Sequence, residues 1–162
     1  MFLAGSLMAV APASGVERFR PAPGCKRPNA LAELERSLKG ERNVPYDAAA
    51  NPLRSCDKLQ PIVTREMRQA AQPAVASIVF DVTGSGRVVN QQLIGPKTPW
   101  AEISQKTLSE KLFEPFVEGD VGIRRLGVKM TFVAEFQGRG QSCGRMMAPV
   151  RPDLEIRACV PR

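Results

Sequence analysis

The chain has 162 residues, enough for one domain with a substantial core but not comfortably for two. Its net charge of +7 favours acidic partners, yet no basic run is longer than Arg124-Arg125, so nucleic-acid binding is not expected. There is no histidine, which excludes Ser-His-Asp and Cys-His catalysis and His-ligated zinc. We expect no cofactor, no metal and no enzymatic activity.

Residues 2–13 form a short apolar run that ends in small residues. The run has the pattern of a secretory signal peptide and is too short to span a bilayer, which takes about 20 apolar residues. We interpret residues 1–15 as a signal peptide and expect a periplasmic protein without a transmembrane helix. No Lys or Arg precedes the run, so either the terminal amine supplies the charge or the true start lies upstream. The alternative is a buried N-terminal strand or helix.

Four cysteines support export, namely Cys25, Cys56, Cys143 and Cys159. No Cys-x-x-Cys pair exists, which disfavours a zinc site and a thioredoxin-type motif. Two disulfides in an oxidising compartment are the simpler interpretation, and four cysteines can pair in three ways. We prefer Cys25–Cys56 with Cys143–Cys159, because each pair then staples one flank of the central region. Four reduced core cysteines are the alternative.

Residues 16–72 form an N-terminal extension of mixed character. Apolar residues at helical spacing predict a helix that Asn29 caps and Gly40 ends. Residues 41–60 contain prolines and are expected to be irregular, and a short second helix is expected to begin at Pro61.

From Val75 the apolar period changes to two, which predicts a half-buried strand. The residues expected on its buried face are Ala76, Ile78, Phe80 and Val82. Residues 83–86 read Thr-Gly-Ser-Gly, a strong turn signal, and residues 88–94 form a second strand, so the two make a hairpin. The alternation of the second strand is imperfect at Gln91.

A helix is predicted from Thr98, which can cap it, to a stop at Pro115, with Trp100 anchoring its first turn. Its expected apolar face is Ile103, Leu108, Leu112 and Phe113. After a polar loop from Glu118, residues 127–136 alternate cleanly. The residues expected to point inward from this last strand are Val128, Met130, Phe132, Ala134 and Phe136.

The predicted fold is α+β, a ββαβ domain over residues 73–137. It has a three-stranded antiparallel sheet with one helix packed on a face. Residues 138–162 are expected to be an irregular tail that a disulfide staples.

These elements resemble the C-terminal domain of the TonB family, the energy transducers of outer-membrane transport. The resemblance rests on residues 78–88 (IVFDVTGSGRV), which fit the family's V-x-F-x-V-x-x-x-G-x-V hairpin. It also rests on Phe113-Glu114-Pro115, similar to the family's aromatic-Glu-Pro helix end, and on the last strand at residues 127–132. It covers less than half of the chain.

The resemblance implies peptide binding by strand addition, with the TonB box of an outer-membrane receptor as the partner. By position, the implied binding edge is Val128, Lys129, Met130, Thr131, Phe132 and Val133. Lys129, with Arg124 and Arg125 just before it, would favour an acidic peptide. Open edges would also permit a homodimer. The family's membrane helix and long Pro-rich spacer have no counterpart in this sequence, so peptide binding is better supported than energy coupling.

Two other functions compete with this one. A cationic envelope-binding protein is consistent with the charge, although no basic amphipathic helix is present. A secreted enzyme would use groups such as Glu110 and Glu114, four residues apart on the predicted helix, or Ser85 between two glycines. That spacing is more often a solvated face, and Ser85 lacks the Gly-x-Ser-x-Gly pattern.

Overall fold

A computed structural model describes residues 23–59, 61, 63–70, 72–136 and 154–160. Its helices are α1 (Pro28–Ser37), α2 (Arg65–Ala70) and α3 (Pro99–Ser109). Its strands are β1 (Gly40–Pro45), β2 (Ala74–Val82), β3 (Val88–Ile94), β4 (Val117–Glu118), β5 (Val121–Phe136) and β6 (Leu154–Val160). The predicted α+β class is confirmed.

The sheet is larger than predicted and of mixed direction. It has six strands, with the order β1-β5-β2-β3 and with β4 and β6 also paired to β5. β2 and β4 run antiparallel to β5, whereas β1 and β6 run parallel to it. The three predicted strands, β2, β3 and β5, do pair antiparallel, but the sheet has more strands than predicted, because β1 and β6 from the two flanks and the short β4 also pair with β5.

The hairpin of β2 and β3 is confirmed. Ala76, Ile78, Phe80 and Val82 are all buried, as the alternation predicted. The register shifts between Val79 and Asp81, and Asn90 opposite this step has φ +54°. A bulge at this point explains why the alternation of β3 fails near Gln91.

The last strand begins six residues before the predicted start, at Val121, and carries its own bulge. Gly127 has φ +70°, and the pairing with β2 shifts between Phe80 and Val82. Because the bulge shifts the side-chain alternation of β5 by one residue, Arg125 before it and Val128 after it both lie on the core side. Four of the predicted inward residues are buried, namely Val128, Met130, Phe132 and Ala134. The side chain of Phe136 lies outside the described residues.

α3 begins as predicted and ends early. The Thr98 hydroxyl accepts a 3.2 Å hydrogen bond from the Ala101 amide, and Pro99 occupies the first turn. The helix stops at Ser109 rather than near Pro115. Residues 112 and 113 instead form bridges with Arg87 and Ser55, so tertiary pairing draws them out of the helix.

The N-terminal extension belongs to the same sheet and core. α1 has Arg27 at its N-cap position without a side-chain bond, and Asn29 lies inside the first turn, so the predicted Asn29 cap is wrong. Gly40 begins β1 instead of ending the helix, and residues 41–45, expected to be irregular, are strand. Leu53 is 3% exposed within the main core. The second short helix exists but begins at Arg65.

A disulfide joins Cys25 to Cys56, as predicted. The Cys56 amide donates to the Leu112 carbonyl at 2.9 Å, so the staple holds the N-terminal segment against the segment after α3. The proposed signal peptide (residues 1–15) and Cys143 lie outside the described residues, so the Cys143–Cys159 pair stays a prediction. Part of the tail predicted to be irregular is strand β6.

Candidate functional site

The predicted binding edge is the side of β5 that faces away from β2. Two short strands occupy this side end to end. β1 pairs with Val121–Leu126, and β6 pairs with Met130–Phe136. Residues 127–129 lie between the two partners.

The six predicted edge residues alternate between the core and the open face of the sheet. Val128, Met130 and Phe132 have no exposed surface, whereas Lys129 is exposed. Thr131 is half-buried, and its hydroxyl lies 3.0 Å from that of Ser77 on β2. From Met130 to Val133 the strand has partners on both sides, β2 on one and β6 on the other. This edge is therefore filled by the chain itself.

The contact between β5 and β6 centres on Ile156. Ile156 pairs with Phe132, is 4% exposed and belongs to the main core cluster. The indole Nε1 of Trp100, a residue 1% exposed on α3, donates a 3.0 Å hydrogen bond to the Phe132 carbonyl oxygen. Helix α3 thus fixes the backbone of β5 at the position where β6 inserts its aliphatic side chain. Sequence reasoning identified Trp100 as an anchor but missed Ile156, which lies in the segment expected to be irregular.

Asp81 stabilises the bulge at Gly127 of β5, which lies between the segments paired with β1 and β6. Its Oδ1 accepts a 3.1 Å hydrogen bond from the Gly127 amide, and its Oδ2 accepts one of 3.3 Å from Arg124 Nη2. Asn90 Nδ2 donates to the same Oδ2 at 2.9 Å. One carboxylate therefore joins the bulges of β3 and β5 across β2.

The three basic residues expected to attract an acidic peptide have different environments. Arg124 pairs with Asp81 at 3.3 Å and with Glu41 at 4.0 Å. Arg125 is 1% exposed on the core face. Only Lys129 remains as an exposed cation on the predicted edge. The expected basic cluster is therefore reduced to one residue.

Arg125 is a buried cation held by backbone carbonyls. Its Nη1 donates to the Pro52 carbonyl at 2.8 Å and its Nη2 to the Glu114 carbonyl at 3.1 Å, while the guanidinium lies 5.5 Å from the centre of the Phe116 ring. Burial lowers the pKa of Arg125 to about 10. Nothing in the alternation of the sequence distinguished it from Arg124.

The residues considered for catalysis have structural contacts. Ser85 Oγ donates to Glu35 Oε1 at 3.1 Å and lies 2.9 Å from the Thr83 hydroxyl. Glu114 Oε1 accepts a 2.8 Å hydrogen bond from the Gly24 amide. Glu110 is the C-cap of α3, so the two glutamates do not share a helix face. Within the described ranges, no group of three or more Asp, Glu, His or Cys residues could hold a metal ion.

The structure defines a mixed α+β protein with a curled sheet whose central strand, β5, pairs with two parallel and two antiparallel strands. No protein-family model matches the chain, and no curated protein matches it. The resemblance to the TonB C-terminal domain therefore stays a prediction. None of the helices in the described part of the chain is long and apolar enough to cross a membrane. The Cys25–Cys56 disulfide indicates an oxidising compartment.

Proposed function

We propose that this protein is an exported, periplasmic, TonB-like binding protein that captures an extended peptide by β-strand addition along β5. The candidate ligand is a receptor segment such as a TonB box. One observation carries the proposal: the outer edge of β5 already takes up a seven-residue extended segment, β6, from a distant part of the sequence. Backbone hydrogen bonds supply affinity in this mode, and alternate side chains supply selectivity.

Two features favour the β5 edge over the other sheet edge. No described strand pairs with the outer side of β3, but β3 carries the bulge at Asn90, a device that protects an edge from pairing. Beyond Gly127, in contrast, β5 runs without a register shift against both β2 and β6. Its core-facing residues belong to the main core cluster, so a strand added at this edge places alternate side chains against that core, as β6 does with Ile156.

The test is a fluorescence-anisotropy titration of the full chain, expressed with its disulfide intact. The probes are labelled peptides from the N-terminal segments of outer-membrane receptors. Matched peptides carry N-methyl groups at alternate residues and keep every side chain. In an added strand, alternate residues direct their N–H groups toward the partner strand. Strand addition therefore predicts that methylation of these residues abolishes binding, whereas methylation of the intervening residues leaves it unchanged.

Salt dependence separates this function from binding of a cationic protein to the envelope. Backbone pairing predicts a dissociation constant that changes by less than about threefold between 50 and 500 mM salt, because the Debye length matters little for such bonds. A steep salt dependence, together with insensitivity to N-methylation, would favour the envelope-binding alternative and overturn strand addition.

A further inference from the structure

We infer that β6 is the chain's own occupant of the peptide-binding edge, so that an incoming peptide must displace it. This inference rests on the proposed function, because it describes how the same edge is regulated. It also defines the ligand class: a parallel, extended peptide with an aliphatic side chain opposite Phe132, where Ile156 now lies.

β1 and β6 share this edge, and each pairs only with β5 in the part of the chain that the structure describes. β1 follows α1, and the chain after it is fixed by the Tyr46 amide on the Leu126 carbonyl at 2.8 Å and by the Cys25–Cys56 disulfide. Residues 137–153 separate β6 from β5 in sequence. A strand that pairs on one side only can leave without dismantling the rest of the sheet.

The sequence of β6 has the pattern of a strand-addition ligand. Residues 154–160 read LEIRACV, with an apolar residue at every second position. Ile156 is 4% exposed in a core cluster that includes Phe132 and Trp100. A β-branched aliphatic residue loses little rotamer freedom in a strand and fits such an apolar site.

Tethering makes β6 an effective competitor. Because β6 and β5 belong to one chain, β6 meets the edge at an effective concentration on the order of millimolar, so a free peptide faces competition even when β6 binds weakly. The apparent affinity for a free peptide is then the intrinsic affinity multiplied by the fraction of molecules whose edge is free. Release of β6 therefore controls access to the site.

The experiment compares the full-length parent with Ile156→Asp and, as a matched control, Ile156→Val. The probe is a synthetic peptide of residues 154–160 carrying Cys159→Ser, titrated into 15N-labelled protein. We expect the Ile156→Asp chain to show shifts at the β5 amides of residues 130–136 at a peptide concentration at least about tenfold lower than the parent. Ile156→Val should behave as the parent. If the β5 amides of the parent and of Ile156→Asp shift at the same peptide concentration, the inference is overturned.

Hydrogen exchange of the unmodified chain gives a second measurement that needs no variant. A displaceable β6 predicts that its amides exchange at least about tenfold faster than those of β2, through local opening. Equal protection of β6 and β2 would make β6 an integral core strand and overturn self-occupancy. Light scattering must show a monomer, since a dimer that dissociates in Ile156→Asp would mean that β6 comes from a second copy.

The two proposals fail separately. Suppose that the 154–160 peptide binds Ile156→Asp at a lower concentration than the parent, as expected, but that no receptor peptide binds either chain. Self-occupancy then stands and the proposed function is wrong. If receptor peptides bind the parent and Ile156→Asp equally well, the proposed function stands and self-occupancy is wrong.

Discussion

The amide of Phe113 donates a 2.9 Å hydrogen bond to the carbonyl oxygen of Gly86. This bond joins the turn of the β2–β3 hairpin to the Phe-Glu-Pro segment that follows α3. Phe116 makes a similar bond of 2.9 Å to the Gly84 carbonyl. The hairpin and the segment after the helix, far apart in sequence, thus form one packed unit.

The contact predicts a severe effect of Gly86→Ala. Gly86 has φ +96°, and an added Cβ would lie 1.9 Å from the Phe113 carbonyl oxygen. We expect a loss of about 3 kcal/mol or more in unfolding free energy, from backbone strain and displacement of the neighbouring segment. Denaturant unfolding followed by the fluorescence of Trp100, the chain's single tryptophan, measures it.

Gly95→Ala is the matched control for that variant. Gly95 has φ +101°, yet an added Cβ would meet no atom within 4 Å. Only the backbone strain remains, at about 1–2 kcal/mol. Equal losses in the two variants would show that the approach of Phe113 does not matter.

Arg125→Met is expected to leave stability within about 1 kcal/mol of the parent or to raise it. Because the folded pKa is lowered to about 10, the charged form is disfavoured by folding at neutral pH, and stability rises only as the pH increases through about 10. Methionine removes the buried charge and keeps most of the volume. Arg125→Ala should instead lose about 2–4 kcal/mol through the cavity it leaves. If Arg125→Met is as unstable as Arg125→Ala, then burying the charge of Arg125 does not lower the unfolding free energy, and the prediction is wrong.

The ion pair of Glu35 with Arg87 predicts a small, acid-sensitive contribution. The hydrogen bond from Arg87 lowers the pKa of Glu35, so the stabilisation is complete above the ordinary carboxyl range and is lost as the pH falls through the lowered value. Arg87 is 52% exposed, and solvent screening limits the effect to about 0.2–1 kcal/mol. Glu35→Gln should show this loss at pH 7 and none at pH 2–3. The exposed Glu33 on the same helix is the control, and Glu33→Gln should match the parent at both pH values.

Removal of the disulfide with Cys25→Ser and Cys56→Ser should cost about 3–4 kcal/mol, since the bond closes a loop with a sequence separation of 31 residues. Thermal unfolding measures the total. Hydrogen exchange locates the effect, because the Cys56 amide, bonded to the Leu112 carbonyl at 2.9 Å, should lose protection first. An unchanged melting temperature would mean that the remaining contacts, such as the 2.8 Å hydrogen bond from the Glu114 amide to the Arg54 carbonyl oxygen, hold the flank without the disulfide.

Trp100→Phe tests the bond that fixes β5 beside Ile156. The change keeps an aromatic ring but leaves the Phe132 carbonyl oxygen without its 3.0 Å donor on α3. We expect a loss of about 1–3 kcal/mol in unfolding free energy, read by circular dichroism. If the loss is below about 0.5 kcal/mol, the hydrogen bond does not position this strand.

Several features could be predicted from the sequence because local patterns carry them. The period-two alternation of β2 and of the second half of β5 gave the buried residues, and Thr98-Pro99 gave the start of α3. The Cys25–Cys56 pair followed from the position of the two residues on one flank. For the candidate site, the sequence identified strand residues 128–133 but not what lies beside them.

Tertiary structure decided the rest, because parallel pairing and side-chain burial depend on partners far away in sequence. β1 is almost wholly exposed and shows no alternation, so only its ladder with β5 makes it a strand. Arg124 and Arg125 look alike in sequence, but adjacent strand residues face opposite sides, which puts only Arg125 in the core. The occupied edge of β5 arises in the same way. In the sequence, Leu154–Val160 shows only an ordinary apolar alternation, and it becomes a strand because residues 130–136 of β5 offer it a side of matching length to pair with.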